Sequence, residues 1–418
     1  MERLRRSLLV LFAVGLGTSI SLAQASLTAL VLLWLLRARH DPVRRAAGVL
    51  PLQGPLLAFT AATLASGLAS ETPLTSLVAS KDIVLVLTAW VTAGLLRGPG
   101  EARRWLGVLA LVTTVAAATG LLQVAACPPG LEGPGLAAWF FHRCDRARGF
   151  FSIYMTLAGV LLLILLATAP RLFETGPRRW RAAASWAVMV LALGATYTRG
   201  AWLGFAAGVV MLLPMLRRGR VVLAVILLLL VGIGLAGPYE LQKRVLQMAD
   251  PREAGVKERV YMWHSAVAMW AEQPWLGVGP GGVKRRYSEY ALPEAFKKRT
   301  GHVHNTPLQI LVERGLIGLA AWLWIWVAFY ARAGAILRRL PPGHEAERDL
   351  VMGCLAAVTG FLVAGLAEYN FGDSEVVMVL WAIMALPFTV ERTGAGTERR
   401  ASSAGRDPSP SEPSRSTA

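Results

Sequence analysis

The stretch "SLLVLFAVGLGTSISLAQASLTALVLLWLL", Ser7 to Leu36, runs without a single charge, and its reading decides the topology of everything that follows. A hydrocarbon core of ~30 Å takes roughly 20 helical residues, so this run makes either one long tilted helix or two short ones. The charges of the later loops choose between them. Read as two helices, it begins a chain of twelve spans with both termini in the cytoplasm. The arginine clusters within 3–6, 37–45, 97–104, 171–181, 217–220 and 332–348 then all face inward. Read as one helix, it turns those later loops outward, against the positive-inside bias. The same stretch contains Ala23-Gln24-Ala25, which looks like a signal-peptidase site, but the apolar run continues through it to Leu36, and we read it as a retained span.

The remaining apolar segments fall at about 46–69, 77–96, 104–126, 150–169, 183–197, 201–216, 220–237, 308–331, 349–367 and 374–390. Of 418 residues, 55% are hydrophobic and 17% charged, against about 25% charged in soluble domains. The expectation is an all-α polytopic integral membrane protein with about 12 transmembrane helices and one long outer loop containing short amphipathic helices. Its parts are nine spans over 1–237, the loop over 238–307, three spans over 308–390 and a tail over 391–418. That tail ends "ASSAGRDPSPSEPSRSTA", too polar to bury a core, and is expected to be disordered. Much of the net charge of +17 is explained by topology, so no nucleic-acid partner is expected.

Unusual polarity gathers in three places on the outer side: 127–149, the turn "TYTRGA" at Thr196 to Ala201, and 238–306. Cys127 and Cys144 share the first region and are compatible with a disulfide in an oxidising compartment or with two free thiols. Cys354 reads as a small core residue, and no Cys/His spacing suggests zinc. In the turn, Arg199 is flanked by apolar segments of only about fifteen residues, some 22 Å at ~1.5 Å each, which recesses it below the membrane surface. A recessed arginine requires an anion or a water-filled cavity, or else snorkels to the headgroups.

The long loop carries eleven Lys/Arg against seven Asp/Glu, a surplus that suits an anionic partner such as a lipid-linked phosphate or pyrophosphate, or anionic headgroups. Within it, "ERVYMWHSAVAMWAE" reads as an amphipathic helix with Tyr261, Trp263, Ala266, Val267 and Trp270 on an apolar or interfacial face suited to the membrane surface. Gly277, Gly279, Gly281 and Gly282 form a tight turn able to bring backbone amides near a phosphate.

The loop ends in "GHVHNTPLQILVERGLIG", Gly301 to Gly318. Thr306, Pro307 and Gln309 fit a capping box opening the tenth span. His304 then lies just outside a helix N-terminus, where a neutral ring is favoured and can accept a proton from a hydroxyl. A structural loop residue fits the same position, and His302 competes for the same role. No acidic cluster accompanies His-x-His, so no metal is expected. Glu313 and Arg314, about two turns into the helix, should pair, either to position the loop and histidine or to tie two helices together. Glu368, Asp373 and Glu375 share this outer side and are assigned no chemistry.

Taken in order, "TRGAWLG" from Thr198, Arg259 with Trp263 and "GVGPG", "HNTPLQILVERGLIG" from His304 and the closing "EYNFGDSE" resemble the O-antigen ligase and polymerase superfamily. The resemblance implies a metal-independent, cofactor-free inverting glycosyltransferase of GT-C type in the bacterial inner membrane, its loop and active site facing the periplasm. It implies undecaprenyl-pyrophosphate-linked glycan as donor and lipid A-core or another glycan as acceptor. On the matching positions, His304 would deprotonate the acceptor, while Arg199 and Arg259 would hold the pyrophosphate. Arg148 of "RARGFFS" supplies a third arginine, although "GFFSIY" lacks the asparagine that often follows in relatives. Glu313 is grouped with them as a substrate-site residue. The compact loop and absence of an added domain favour an O-antigen ligase. A polymerase using the same donor is the nearest alternative. A transporter is the third reading, disfavoured because no paired repeat with broken helices is visible.

Overall fold

The computed structural model describes residues 2–40, 50–127, 140–141, 144–174, 178–213 and 253–391. The expected ninth span, the first part of the long loop and nearly all of the tail lie outside them. Among the described residues every regular element is a helix. Five are long and apolar enough to cross a membrane: Pro73–Leu95, Pro99–Ala125, Tyr154–Phe173, Thr306–Arg339 and Ser374–Glu391. Shorter apolar helices run over Ile20–Leu36 and Arg199–Leu212. The chain is thus an all-α polytopic membrane protein.

The opening stretch is two helices. α1 (Glu2–Thr18) and α2 (Ile20–His40) break at Ser19 and fold back on each other. A Cβ on Gly15 would lie 2.5 Å from the Ala23 amide nitrogen, so the turn closes only around a glycine. Next come α3 (Gln53–Ala69), α4 (Pro73–Ala79), a 3-10 turn, α5 (Leu87–Leu95), α6 (Pro99–Ala125) and α7 (Tyr154–Thr168). After them are α8 (Arg178–Ala195), α9 (Arg199–Leu212), α10 (Ala254–Glu272), α11 (Gly282–Tyr290), α12 (Thr306–Arg339), α13 (Glu345–Ala364) and α14 (Ser374–Ala385).

The apolar pattern decides which helices are central. α7 is apolar all round and buried from Thr156 to Thr168, and α14 from Val376 to Ala385; a helix without a polar face is enclosed by others or by lipid. The outer helices instead turn Leu74, Val78, Leu111, Val115 and Leu122 outward, as a lipid-facing wall requires.

Two local devices fix the outer end. The first is Gly200-x3-Gly204-x3-Gly208 along one side of α9, a spacing that lets helices touch backbone to backbone. A Cβ on Gly204 would sit 2.3 Å from the Gly360 carbonyl oxygen, and one on Gly208 2.8 Å from that of Ala356. α9 and α13 are therefore locked together, and Arg199 at the start of one is held beside the residues that follow the other.

The second device is a break in α12 at Gly315, φ 64° and ψ −169°. Backbone groups freed by a break inside a membrane must find partners within the protein. The segment Pro274 to Gly279 provides them. Leu316 and Ile317 donate to the carbonyls of Pro274 (2.9 Å) and Trp275 (3.2 Å), and Val278 and Gly279 donate to those of Val312 (2.9 Å) and Glu313 (3.1 Å). A Cβ on Gly277 would meet the Val312 carbonyl oxygen at 2.5 Å, which explains the glycines of "GVGPGG" by packing.

Above the break a small second core forms. Met262, Ala266 and Met269 of α10 pack with Val278, Val283, Tyr287, Val303 and Val312. Of the face read from the sequence, Ala266 is buried and Trp263 and Trp270 pack against this core, while Val267 is 47% exposed. The Trp263 and Trp270 indoles donate to the carbonyls of Val303 (3.0 Å) and Pro274 (3.1 Å). Those two tryptophans bind the loop to the protein.

Candidate active site

His304 stands two residues before α12, as expected, but the cap is shifted by one. Asn305 is the N-cap, its side-chain oxygen accepting from the Leu308 amide at 2.9 Å. Thr306 Oγ1 instead donates to the Glu368 carbonyl (2.9 Å), Thr306 N donates to Gly365 O (2.7 Å), and Asn305 Nδ2 to Leu366 O (3.0 Å). Asparagine caps as well as threonine, and Thr306 is drawn off by the neighbouring turn. Gln309 likewise reaches past the cap, its Oε1 accepting from Val303 N at 3.0 Å. The start of α12 is stitched to the end of α13.

That stitching delivers Glu368, a residue the sequence reading left without a role. One carboxylate oxygen lies 3.0 Å from His304 Nδ1, and the other accepts from Arg259 at 2.8 Å. His302 lies against His304 with ring centroids 4.4 Å apart, and against Tyr369 at 5.8 Å. Burial, reinforced by His304 and Lys297 and opposed by Glu368, pushes His302 down to about 4, so this ring is neutral at pH 7. Burial pushes the Tyr369 phenol up to about 12.

His304 itself has φ 50°, and Tyr197, just before Arg199, has φ 51°. Among the described residues these are the only non-glycine positions in the left-handed region. Such backbone persists where the surroundings over-determine it, and it clusters at functional sites. Here Tyr197 lines a cavity, and His304 is tied to its wall through Glu368.

Arg199, Arg259, Glu253 and Glu368 line that cavity with Tyr154, Tyr197 and Arg146. Arg199 lies 3.7 Å from Glu253. The sequence pointed to Arg148 as the third arginine, and the structure places it elsewhere. Its side chain is buried and donates to the carbonyls of Phe151 (3.2 Å) and Phe140 (3.1 Å). Arg146 faces the cavity instead, its guanidinium 4.3 Å from the centroid of the Tyr154 ring. Gln123 pins this loop by accepting from Gly149 N (2.9 Å) and donating to Gly149 O (3.0 Å), and Cys127 and Cys144 are joined in a disulfide with Cα atoms 5.5 Å apart. A larger adjoining cavity of ≈ 470 Å³ is lined by Thr198, His302, Glu368, Tyr369, Asp373 and Glu375, among others.

Glu313 is not beside the arginines. It is buried within α12, 3.2 Å from the Arg314 guanidinium, and accepts from the Gly281 amide at 2.9 Å. The expected phosphate-binding turn is corrected by the same contacts. The amides of Gly277, Val278, Gly279, Gly281 and Gly282 all donate within the protein, to Gln273, Val312, Glu313, the Glu313 carboxylate and Gly279. The turn's amides hold a carboxylate and a broken helix, leaving no cradle for phosphate.

Two signals for the missed residues were present. Gly200, Gly204 and Gly208 implied a backbone-close partner for the helix carrying Arg199, and Glu368 stands where an outer turn returns to that partner. Arg146 and Arg148 are both in "RARG", and spacing alone does not separate them.

The chain matches no curated protein. Residues 183–323, about a third of the chain, match the family model described as O-antigen ligase, and that segment holds Arg199, Arg259 and His304.

Proposed function

We propose that the protein is an O-antigen ligase that moves a polysaccharide from undecaprenyl pyrophosphate to a lipid A-core acceptor at the periplasmic face of the inner membrane. The observation that carries this reading is Glu368 bridging His304 and Arg259, 3.0 and 2.8 Å away, on the wall of a cavity that also holds Arg199 and Arg146. A carboxylate that accepts from Nδ1 keeps the proton there and leaves Nε2 with its lone pair, the form a base requires. The acceptor hydroxyl loses its proton to Nε2 as its oxygen bonds to the anomeric carbon. The bond from that carbon to pyrophosphate breaks, with inversion. Charge appearing on the departing pyrophosphate meets Arg199, Arg259 and Arg146, which can stabilise it without a metal. Glu313 acts from a distance, by holding the loop that ends in the histidine.

The test is gel and mass analysis of lipopolysaccharide and of undecaprenyl-linked glycan in cells whose only copy carries His304→Ala, beside null and wild type. Bare core with long polymer stranded on the carrier is expected. Core bearing a single repeat unit would assign the chain to polymerisation, and a wild-type ladder would remove His304 from the chemistry.

A further inference from the structure

A second cavity of ≈ 210 Å³ lies between α3, the Pro73–Leu95 segment, the first half of α12 and the turn at 369–372. It is separate from the arginine-lined cavity. Gly301, Tyr369, Gly372 and Ser374 line both it and the ≈ 470 Å³ space at His302, so the two share a wall. Its lining combines groups that rarely meet in a structural core: Asp82, Lys284, Gln309, Arg314, Tyr369 and Trp381.

Gln309 is 1% exposed, and its Nε2 faces the Glu313 carboxylate but completes no hydrogen bond of good geometry among the described residues. A buried amide left short of a partner is costly and marks a place where a ligand or water would complete it. The Arg314 guanidinium is fixed in place, 3.1 Å from Thr63 Oγ1, 3.2 Å from Glu313 and 5.6 Å from the Phe59 ring centroid. Asp82 and the exposed Lys284 make no ion pair among the described residues.

Carboxylate and cation together, an amide donor and aromatic walls fit a neutral polyhydroxylated ring. An acyl chain has no use for Gln309 or Asp82, and with Asp82 and Glu313 offsetting Lys284 and Arg314 the lining carries no net charge to draw a phosphate. We infer that this cavity receives the terminal sugar of the acceptor. The inference rests on the transferase reading above, and Gly301 and Tyr369 join this cavity to the space at His302.

The full chain, reconstituted in vesicles, is assayed with undecaprenyl-pyrophosphate-linked glycan and with lipid A-core extracted from cells lacking the chain. Asp82→Asn and Lys284→Gln should each raise KM for lipid A-core about tenfold, the effect of one or two lost hydrogen bonds, with KM for the donor within about twofold. Lys284 is exposed, so its replacement tests the site without disturbing buried packing. Unchanged KM for lipid A-core in both variants overturns the assignment, as does a rise in donor KM instead. Wild-type protein that transfers nothing to lipid A-core overturns the underlying reading, a result distinct from either.

Discussion

Glu313 and Glu368 are both carboxylates at the outer end of α12, yet their surroundings divide their work. Glu313 is buried and held by Arg314 and the Gly281 amide, while its own carbonyl accepts from Ser66 Oγ at 2.6 Å and from Gly279 N. All its partners belong to the scaffold. Glu368 has one oxygen on Arg259 and the other on His304, and its carboxylate lines two cavities. A charge enclosed by backbone keeps shape, whereas a charge shared between a cation and a base at a cavity wall is placed for chemistry.

The largest effect expected from this contrast is on folding. Glu313→Ala leaves Arg314 buried without its partner and frees the glycine turn, at a cost of ~3–5 kcal/mol, a large part of a typical ~5–15 kcal/mol. Accumulation in the membrane and thermal melting in detergent should both collapse. Glu368→Gln should instead melt within a few degrees of wild type and lose roughly 10- to 100-fold in transfer rate, as second partners of a reacting histidine do. If the two variants behave alike in both assays, the contrast is broken.

The arginines sharpen it further. Arg146→Ala should raise donor KM by about tenfold, the worth of one charge-assisted hydrogen bond, with melting unchanged. Arg148→Ala should lower the melting temperature, because the carbonyls of Phe140 and Phe151 lose their donor, and should leave donor KM close to wild type. The reverse pattern would return Arg148 to the site.

The smallest effect concerns pH. The His302 ring has an ordinary value of 6.5, held down to about 4 by burial. Above 6.5 both folded and unfolded forms are neutral and its contribution to stability is complete. Between 6.5 and 4 only the unfolded form takes up the proton, so stability falls as the pH falls through that window. Melting followed from pH 7 to 4.5 should decline less steeply for His302→Gln than for wild type.

Much of this was legible in the residues. Uncharged runs and arginine clusters gave the helical membrane class and a division of Ser7–Leu36 into two helices, which the structure places at Ser19, because lipid and charge act on composition directly. His304 was singled out by its helix-end position, Arg199 as a recessed cation and Arg259 by the resemblance alone, and the structure links the first and last through Glu368. What stayed hidden depended on contacts distant in sequence. The Thr306 hydroxyl is claimed by residues 62 to 64 positions away, the glycine turn fills a break some forty residues on, and Glu368 acquires its partners only when the end of α13 is tied to the start of α12. The hydrogen bonds of the α10 tryptophans were hidden for the same reason, their indoles being used by a loop that no local pattern announces.

The left-handed backbone at His304 bears on how the proposed base should be removed. Asparagine, like histidine, visits that region readily, while alanine is strained in it. An alanine variant therefore changes two properties together, the imidazole and the path of the chain into α12. His304→Asn removes the base while keeping the bend, so the difference between the two variants measures how much of the loss in an alanine experiment belongs to geometry and not to proton transfer.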